Sequence, residues 1–150
     1  MLREYLQHNI TFLEEVSSWE ESIQKAAEPL LKKEYITTEY IGKMITNINE
    51  NGPYIVIVPG IAMPHAQNEG EVLGTGISML KLQKPVLYPE NKEVTIIMAL
   101  AAEDNTTHLD LIADLSSILI EEDVLNQLKQ AEKEEDIIHL IETTETEDNF

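Results

Sequence analysis

The sequence predicts a single α/β domain in which helices pack on a mixed β-sheet. The chain has 150 residues, 43% of them hydrophobic, which is enough to bury the core of one domain. Residues 94–102 form a near-continuous apolar run, typical of a central strand that is covered on both faces. Amphipathic helical patterns and shorter strand patterns alternate around this run. Because no repeat or linker interrupts them, residues 1–150 are predicted to form one domain.

The first half of the chain predicts one strand and two helices. Residues 10–13 read as a short edge strand. A helix should begin after Ser17 or Ser18, because a serine hydroxyl caps the first turn well. Pro29 falls inside the apolar pattern of that helix and predicts a kink or an early end. A second helix is predicted over residues 38–48, where apolar side chains recur on one face.

Strands and turns dominate the middle of the chain. The apolar run at 55–58 predicts a buried strand that ends at residues 59–60, which are Pro-Gly. Residues 76–82 alternate weakly and are read as another strand. Turns are predicted at 84–85 and at 88–91, because both segments contain proline.

Helical patterns close the chain after the central strand. They cover residues 107–119, 122–130 and 134–141. Residues 142–150 are acidic, and we expect this tail to be frayed.

The charge and the residue types exclude several classes of function. Ten Lys and Arg residues face 28 Asp and Glu, so the net charge is -18, which repels nucleic acid and anionic membranes. The absence of cysteine excludes disulfides, thiol catalysis and thiolate-bound metal. Since no apolar run is long enough to span a membrane and no signal peptide is evident, the sequence predicts a cytoplasmic protein.

The most informative segment is residues 60–66, which read Gly-Ile-Ala-Met-Pro-His-Ala. It follows the predicted strand at 55–58, so His65 should lie at the rim of the sheet. Pro64 has a fixed φ and biases Met63 toward an extended backbone, which would hold the imidazole stiffly. The plainer interpretation is a surface histidine beside a turn proline.

His108 is the second candidate, because it follows the central strand and precedes a helix. Thr107 is predicted to cap that helix, which would place His108 among amide groups that attract phosphate and lower the pKa of a histidine. The alternative is an exposed polar residue in a first turn. If the strands before His65 and His108 are parallel neighbours, both imidazoles share one rim. One nitrogen could then attack phosphorus while the other ring stabilises the phosphoryl oxygens.

Other sites are less favoured by the sequence. His8 and His139 lie in polar or acidic surroundings and are read as surface or structural residues. A metal site is conceivable if Glu69 and Asp110 gather beside the two candidate histidines, but no metal-ligand spacing is present. No nucleotide-binding motif is present either, so no cofactor is predicted.

The motif at 60–66, followed by Asn-Thr-Thr-His at 105–108, resembles the IIA components of the fructose–mannitol superfamily of the bacterial sugar phosphotransferase system. The longer run at 51–65 and the Leu-Lys-Leu-Gln-Lys-Pro-Val segment at 80–86 are most similar to the ascorbate-type branch. The resemblance covers nearly the whole chain. It implies a three-layer α/β sandwich, with a mixed sheet flanked by helices on both faces.

The resemblance also implies a function. His65 would accept a phosphoryl group from phospho-HPr, on its Nε2 atom, and pass it to an EIIB component, commonly onto a cysteine. The membrane permease EIIC would be served indirectly, and His108 would be an accessory residue that binds the phosphoryl group. A carrier of this kind meets its partners through a shallow apolar surface, and Ile61, Ala62 and Met63 are the predicted contacts.

One departure from the pattern and several alternatives remain. Mannitol-type members carry an arginine upstream of the motif, where this chain has Asn-Glu-Asn at 49–51, and Arg3 is its single arginine. Charge stabilisation would then fall to His108 and backbone amides.

The first alternative function is a stand-alone regulatory module that signals through its phosphorylation state. A metal-dependent hydrolase is the second, and a homodimer is possible with any of these functions.

Overall fold

The centre of the fold is a long antiparallel pair of strands. In the computed structural model the two strands are β3 (Gly76–Tyr88) and β4 (Lys92–Ala101), joined by a single turn of 3-10 helix at Pro89–Asn91. The predicted turn at 88–91 and the predicted central strand are thus confirmed. All residues of β4 from Ile96 onward are buried, and they alternate between the two faces of the sheet, as a doubly covered strand requires.

Two short strands, β1 (Ile10–Leu13) and β2 (Gly60–Ala62), complete a mixed sheet in the order β1-β3-β4-β2. Strand β1 is parallel to β3 and β2 is parallel to β4. Both are edge strands, and the edge strand predicted at 10–13 is confirmed. The structure describes the backbone of residues 2–148 and the side chains of residues 2–145.

Helices cover both faces of the sheet, so the predicted three-layer sandwich is confirmed. One apolar core joins the sheet to α2 (Trp19–Lys32) and α3 (Thr38–Asn51), and a second core joins its other face to the remaining helices. The helices of the described residues are α1 (Leu2–Leu6), α2 (Trp19–Lys32), α3 (Thr38–Asn51), α4 (Asn105–Leu119), α5 (Glu122–Gln130) and α6 (Glu134–Asp148). None of the helices in the described part of the chain is long and apolar enough to cross a membrane.

The start of α2 follows the predicted capping chemistry. The Ser18 hydroxyl accepts a hydrogen bond from the amide of Glu21 at 3.1 Å, which satisfies one of the amides left free at a helix start. Pro29 does not end this helix, which continues to Lys32. The chain leaves the helix through Lys33, whose amide still bonds to the Pro29 carbonyl at 3.2 Å.

The strand predicted at 55–58 is wrong. This segment doubles back on itself at residues 59–60, with Gly60 at φ +90°, and it is Gly60–Ala62 that pairs with β4. The amide of Ile61 donates to the Val58 carbonyl at 3.1 Å, which closes the turn. The apolar run therefore packs beside the sheet edge, because the position next to β4 is taken by the residues that follow it.

The turn predicted at 84–85 is also wrong, because β3 runs through it. The pairing of β3 with β4 shifts between Lys81 and Val86, and Pro85 lies in this irregular stretch. Proline is tolerated there because a strand irregularity does not need its missing N–H.

The last helix is longer than its apolar pattern indicates. Helix α6 continues to Asp148, so most of the segment predicted as a frayed tail, 142–150, has helical backbone. Residues 149 and 150 lie outside the described residues.

Candidate functional site

The candidate site lies at the carboxyl ends of β2 and β4. These strands are parallel neighbours, which is the condition under which His65 and His108 were expected to share one rim. His65 follows β2 by three residues and His108 lies in the first turns of α4, after β4. The centroids of the two imidazole rings are 5.2 Å apart, and their planes are inclined by 66°. The predicted sharing of one rim is therefore confirmed.

The ring of His65 is fixed by a hydrogen bond to its own backbone. Its Nδ1 lies 2.6 Å from the carbonyl oxygen of Met63. Since a carbonyl can only accept, Nδ1 carries the proton and Nε2 keeps its lone pair. This bond to a backbone carbonyl fixes the tautomer of the ring. The free lone pair is the group that can attack an electrophile.

Burial keeps both rings neutral near pH 7. It lowers the pKa of His65 below its ordinary value of 6.5, and the neighbouring His108 lowers it further, while the bond to Met63 opposes the shift. Burial also lowers the pKa of His108. A neutral imidazole is what nucleophilic attack requires.

The start of α4 differs from the prediction that Thr107 caps it. Asp104 is the cap, and its Oδ1 accepts a hydrogen bond from the Thr107 amide at 2.8 Å. The His108 amide donates to the Asp104 carbonyl at 3.0 Å, so it is not free to bind phosphate. The carboxylate already occupies this helix end, which leaves the His108 ring as the group that α4 offers to the site.

The predicted partner contacts are wrong. Ile61, Ala62 and Met63 are each 0% exposed, because alternate side chains of this segment enter the two cores. Two exposed apolar side chains that we did not single out are candidates instead: one contacts the His65 ring, and the other is next to His108 in the sequence. Tyr54 is 49% exposed and meets the His65 ring edge-on at 6.0 Å, and Leu109, 65% exposed, follows His108 in α4.

No arginine reaches the site. Arg3 pairs with Glu142 at 2.7 Å on the side of the molecule where α1 and α6 meet. The lysine that contacts the loop after His65 is Lys43, which donates to the Gln67 carbonyl at 2.6 Å. Its ammonium group also pairs with Glu69 and Glu71, so it holds this loop to α3.

The remaining candidates do not join the site. Glu69 is bound to Lys43, and no group of three or more potential metal ligands occurs among the described residues. His8 and His139 are exposed elsewhere on the molecule, and His8 lies 3.8 Å from Glu134.

Sequence reasoning missed one buried side chain that contacts the site. Tyr40 lies on α3, in the segment where apolar side chains recur on one face, and it is fully buried. Its hydroxyl, however, accepts a hydrogen bond from the amide of Ala66 at 3.1 Å. The available signal was chemical, because a buried tyrosine hydroxyl needs a hydrogen-bond partner.

Comparison with known proteins identifies the family. The sequence model described as "Phosphoenolpyruvate-dependent sugar phosphotransferase system, EIIA 2" matches residues 4–144. The chain belongs to this EIIA type 2 family. The resemblance drawn from the motif at 60–66 and from His108 is thereby confirmed.

Two EIIA proteins from Escherichia coli K12 are similar to this chain, one named for mannitol and the other for ascorbate. The mannitol-specific cryptic phosphotransferase enzyme IIA component is 36% identical over 89% of this chain and 91% of its own length. The ascorbate-specific EIIA component is 30% identical over 95% of this chain and 96% of its own length. The ascorbate type predicted from the sequence is therefore among the relatives, together with a mannitol type.

Solved structures of EIIA proteins share the fold. The solution structure of the E. coli mannitol-specific cryptic enzyme IIA is 34% identical and has a TM-score of 0.86 over 93% of this chain and 97% of that chain. A complex of E. coli IIA mannitol with phosphorylated IIB mannitol contains a chain with 24% identity and a TM-score of 0.78. That match covers 90% of this chain and 94% of the other, and at this identity it bears on the fold alone.

Proposed function

We propose that this EIIA is a phosphoryl carrier that accepts a phosphoryl group from phospho-HPr on Nε2 of His65 and passes it to an EIIB component. The observation that carries the proposal is the bond from Nδ1 to the Met63 carbonyl, which leaves Nε2 as the nucleophile beside a second imidazole. The predicted cytoplasmic location is part of the proposal.

The transfer step balances without a cofactor. The lone pair of Nε2 attacks phosphorus, and an N–P bond forms as the N–P bond of the donor phosphohistidine breaks. The donor imidazole leaves as a neutral ring, because it keeps the proton on its other nitrogen. His65 keeps its own proton on Nδ1, which donates to the Met63 carbonyl, so no proton moves between the two rings. In the second transfer a thiolate of EIIB attacks the phosphorus and His65 leaves.

His108 has a different role in this proposal. Its ring lies against His65 and donates a hydrogen bond to a phosphoryl oxygen as charge develops there. No arginine lies at the site, so the His108 ring is the side-chain donor closest to the His65 ring.

Both partners must reach the same nitrogen, so they dock on one surface in turn. We assign this surface to two exposed apolar side chains, called the apolar rim: Tyr54, whose ring meets that of His65, and Leu109, the residue that follows His108 in α4. The chain has a net charge of -18, but no acidic residue occurs between Asn51 and Asn68. The surface beside His65 therefore repels an anionic partner less than the rest of the protein does.

The sugar is assigned as ascorbate or a related carbohydrate. One relative is named for ascorbate and one for mannitol. We prefer ascorbate because this chain lacks the arginine that mannitol-type members carry upstream of the motif. Purified phosphorylated protein should transfer its phosphoryl group faster to an ascorbate-type EIIB than to a mannitol-type EIIB. The reverse order of rates would overturn the sugar assignment and leave the carrier function intact.

The test of the carrier function is phosphorylation from phosphoenolpyruvate through Enzyme I and HPr, followed by intact mass. Wild type should gain one acid-labile phosphoryl group, and His65→Ala should gain none. His139→Ala is the matched control, because it removes an exposed histidine on α6 and should be labelled like wild type. Labelling of His65→Ala at the wild-type rate would overturn the proposal. A transcription factor in place of EIIB as the captured partner would favour the regulatory alternative.

A further inference from the structure

The buried hydroxyl of Tyr40 interrupts the pairing of two strands at the level of His65. Strand β2 pairs with β4 up to Ala62, which lies opposite Ile97. Continued for three residues, this register places His65 opposite Leu100. In a parallel ladder Leu100 would then bond to the residues on either side of His65, donating to Pro64 and accepting from Ala66.

Only the first of these two bonds is direct. The Leu100 amide donates to the Pro64 carbonyl at 3.1 Å. At the second position the Tyr40 hydroxyl stands between the partners, donating to the Leu100 carbonyl at 2.6 Å and accepting from the Ala66 amide at 3.1 Å. The same hydroxyl lies 3.1 Å from the Ala66 carbonyl. The chain is thus held apart from β4 by the width of one hydroxyl group immediately after His65.

This arrangement fixes the backbone on both sides of the acceptor histidine. Pro64 is tied directly to Leu100, and Ala66 is tied to it through Tyr40. The ring of His65 depends on this backbone, because its Nδ1 is bonded to the carbonyl of Met63, two residues earlier.

Tyr40 is enclosed by the core and is protonated near neutral pH. Its side chain is 0% exposed, and burial raises its pKa to about 12. The hydroxyl therefore carries the proton that it donates to the Leu100 carbonyl, the nearer of its two carbonyl neighbours. A phenylalanine would fill nearly the same space and could neither donate nor accept.

We propose that Tyr40 is a positioning residue, whose hydroxyl sets the place and the tautomer of the His65 ring by bridging Ala66 to Leu100. Without the hydroxyl, the Ala66 amide either closes onto the Leu100 carbonyl or loses its partner. In the first case the Ala66 backbone moves toward β4, and in the second it has one tie fewer, so in both the loop that carries His65 and its Nδ1 bond to Met63 is less firmly held. This inference rests on the proposed function for its kinetic effect, but its geometric part does not.

The test compares Tyr40→Phe with a matched control, Tyr88→Phe. Tyr88 is also buried, and its hydroxyl is bonded to Ser22 at 2.7 Å. Tyr88 pairs with Lys92, at the opposite end of β4 from Leu100. Lys92 and Leu100 are eight residues apart, which is about 27 Å at the usual rise of a strand. Both variants lose one buried hydroxyl, so a purely structural effect should lower their thermal stability to a similar extent.

Two readouts separate positioning from stability. Phosphorylation of Tyr40→Phe from phospho-HPr should be about tenfold to 100-fold slower than that of wild type, whereas Tyr88→Phe should keep the wild-type rate. In unphosphorylated protein, histidine 15N NMR should report a single Nδ1-protonated tautomer for His65 in wild type and Tyr88→Phe, and a mixture of tautomers in Tyr40→Phe. Amide exchange at Ala66 should be as slow in wild type as at the ladder amides of β4.

The outcomes distinguish this inference from the proposed function. If wild type is not phosphorylated at all, the proposed function fails, and the NMR spectra still decide the role of Tyr40. An unchanged His65 signal in Tyr40→Phe, or fast exchange of the Ala66 amide in wild type, would overturn the inference. So would equal phosphorylation rates in wild type and Tyr40→Phe.

Discussion

His65 and His108 lie side by side, yet the fold holds them in different ways. The His65 ring is bonded to the backbone of its own loop through Nδ1, and that loop is tied to β4. The ring of His108 is carried by the first turns of α4 and makes no hydrogen bond within the described part of the chain. The first arrangement suits a nucleophile that must meet phosphorus in one geometry, and the second suits a donor that adjusts to the phosphoryl oxygens.

The largest effect that separates the two histidines is expected for His108→Ala. Transfer to His65 should slow about 100-fold, because one donor to the developing phosphoryl charge is lost. The protein should still take up one phosphoryl group at the end of a long reaction, measured by a time course of intact mass. Complete loss of uptake in a folded variant would contradict the division of roles and make His108 essential.

Charge placed on the apolar rim should have the next largest effect. Leu109→Asp should slow transfer about tenfold at low donor concentration, because a carboxylate there opposes docking of an anionic phosphorylated partner. A higher HPr concentration should restore much of the rate. Leu87→Asp is the control, since Leu87 is an exposed leucine opposite Glu93, at the far end of β4. Equal slowing of both variants would place the docking surface elsewhere.

The difference in environment should also appear in the pH dependence. Because burial and His108 lower the pKa of His65 below 6.5, less of the nucleophile is protonated at pH 6.5 than in an ordinary histidine. Between pH 7 and 6.5 the phosphorylation rate should therefore fall less than a pKa of 6.5 would give, and it should fall further at lower pH. Histidine NMR titration gives both midpoints directly. A His65 midpoint above 6.5 would contradict the environment described for its ring.

The same pKa shifts affect stability in acid. A histidine of the unfolded chain binds a proton near pH 6.5, whereas both site histidines of the folded protein bind it at lower pH. The unfolded state therefore takes up more protons, and the free energy of unfolding should fall as the pH drops through 6.5. Denaturant unfolding at pH 7 and pH 5.5 measures this fall. It should be smaller in the double variant His65→Ala, His108→Ala, and an equal fall would trace the effect to other groups.

The smallest effect is expected at the helix caps. Asp104→Ala should lower the unfolding midpoint slightly, because it removes the acceptor for the Thr107 amide. It should also slow transfer a few-fold, since α4 carries His108. Ser18→Ala removes an equivalent cap on α2 and should cost about 1 kcal/mol without slowing transfer. Unfolding curves and transfer rates of both variants make the comparison, and equal rates would show that the α4 cap does not position His108.

The sequence predicts the regular parts of this fold well. The apolar run of β4, the edge strand β1 and the Ser18 cap are local signals, and each has one dominant physical reading. The proximity of His65 and His108 was predicted on the condition that the strands before them are parallel neighbours. Strands β2 and β4 meet this condition, although the strand predicted before His65 was the segment 55–58.

The irregular segment before His65 is where prediction fails. The apolar run at 55–58 and residues 60–62 are equally suited to the position beside β4, and only the tight turn at Gly60 decides which one pairs. Closeness in sequence to His65 also misled us about the partner contacts, because neighbouring side chains of an extended segment point to opposite cores. The role of Tyr40 depends on a contact with Ala66, 26 residues away, which no local pattern encodes.

The most direct test of the account is the position of the phosphorus on the ring. Wild type, labelled with 15N at histidine and phosphorylated through Enzyme I and HPr, should show coupling of 31P to Nε2 of His65. Its Nδ1 should remain protonated, as the bond to the Met63 carbonyl requires. Phosphorus on Nδ1 of His65, or on His108, would contradict the account.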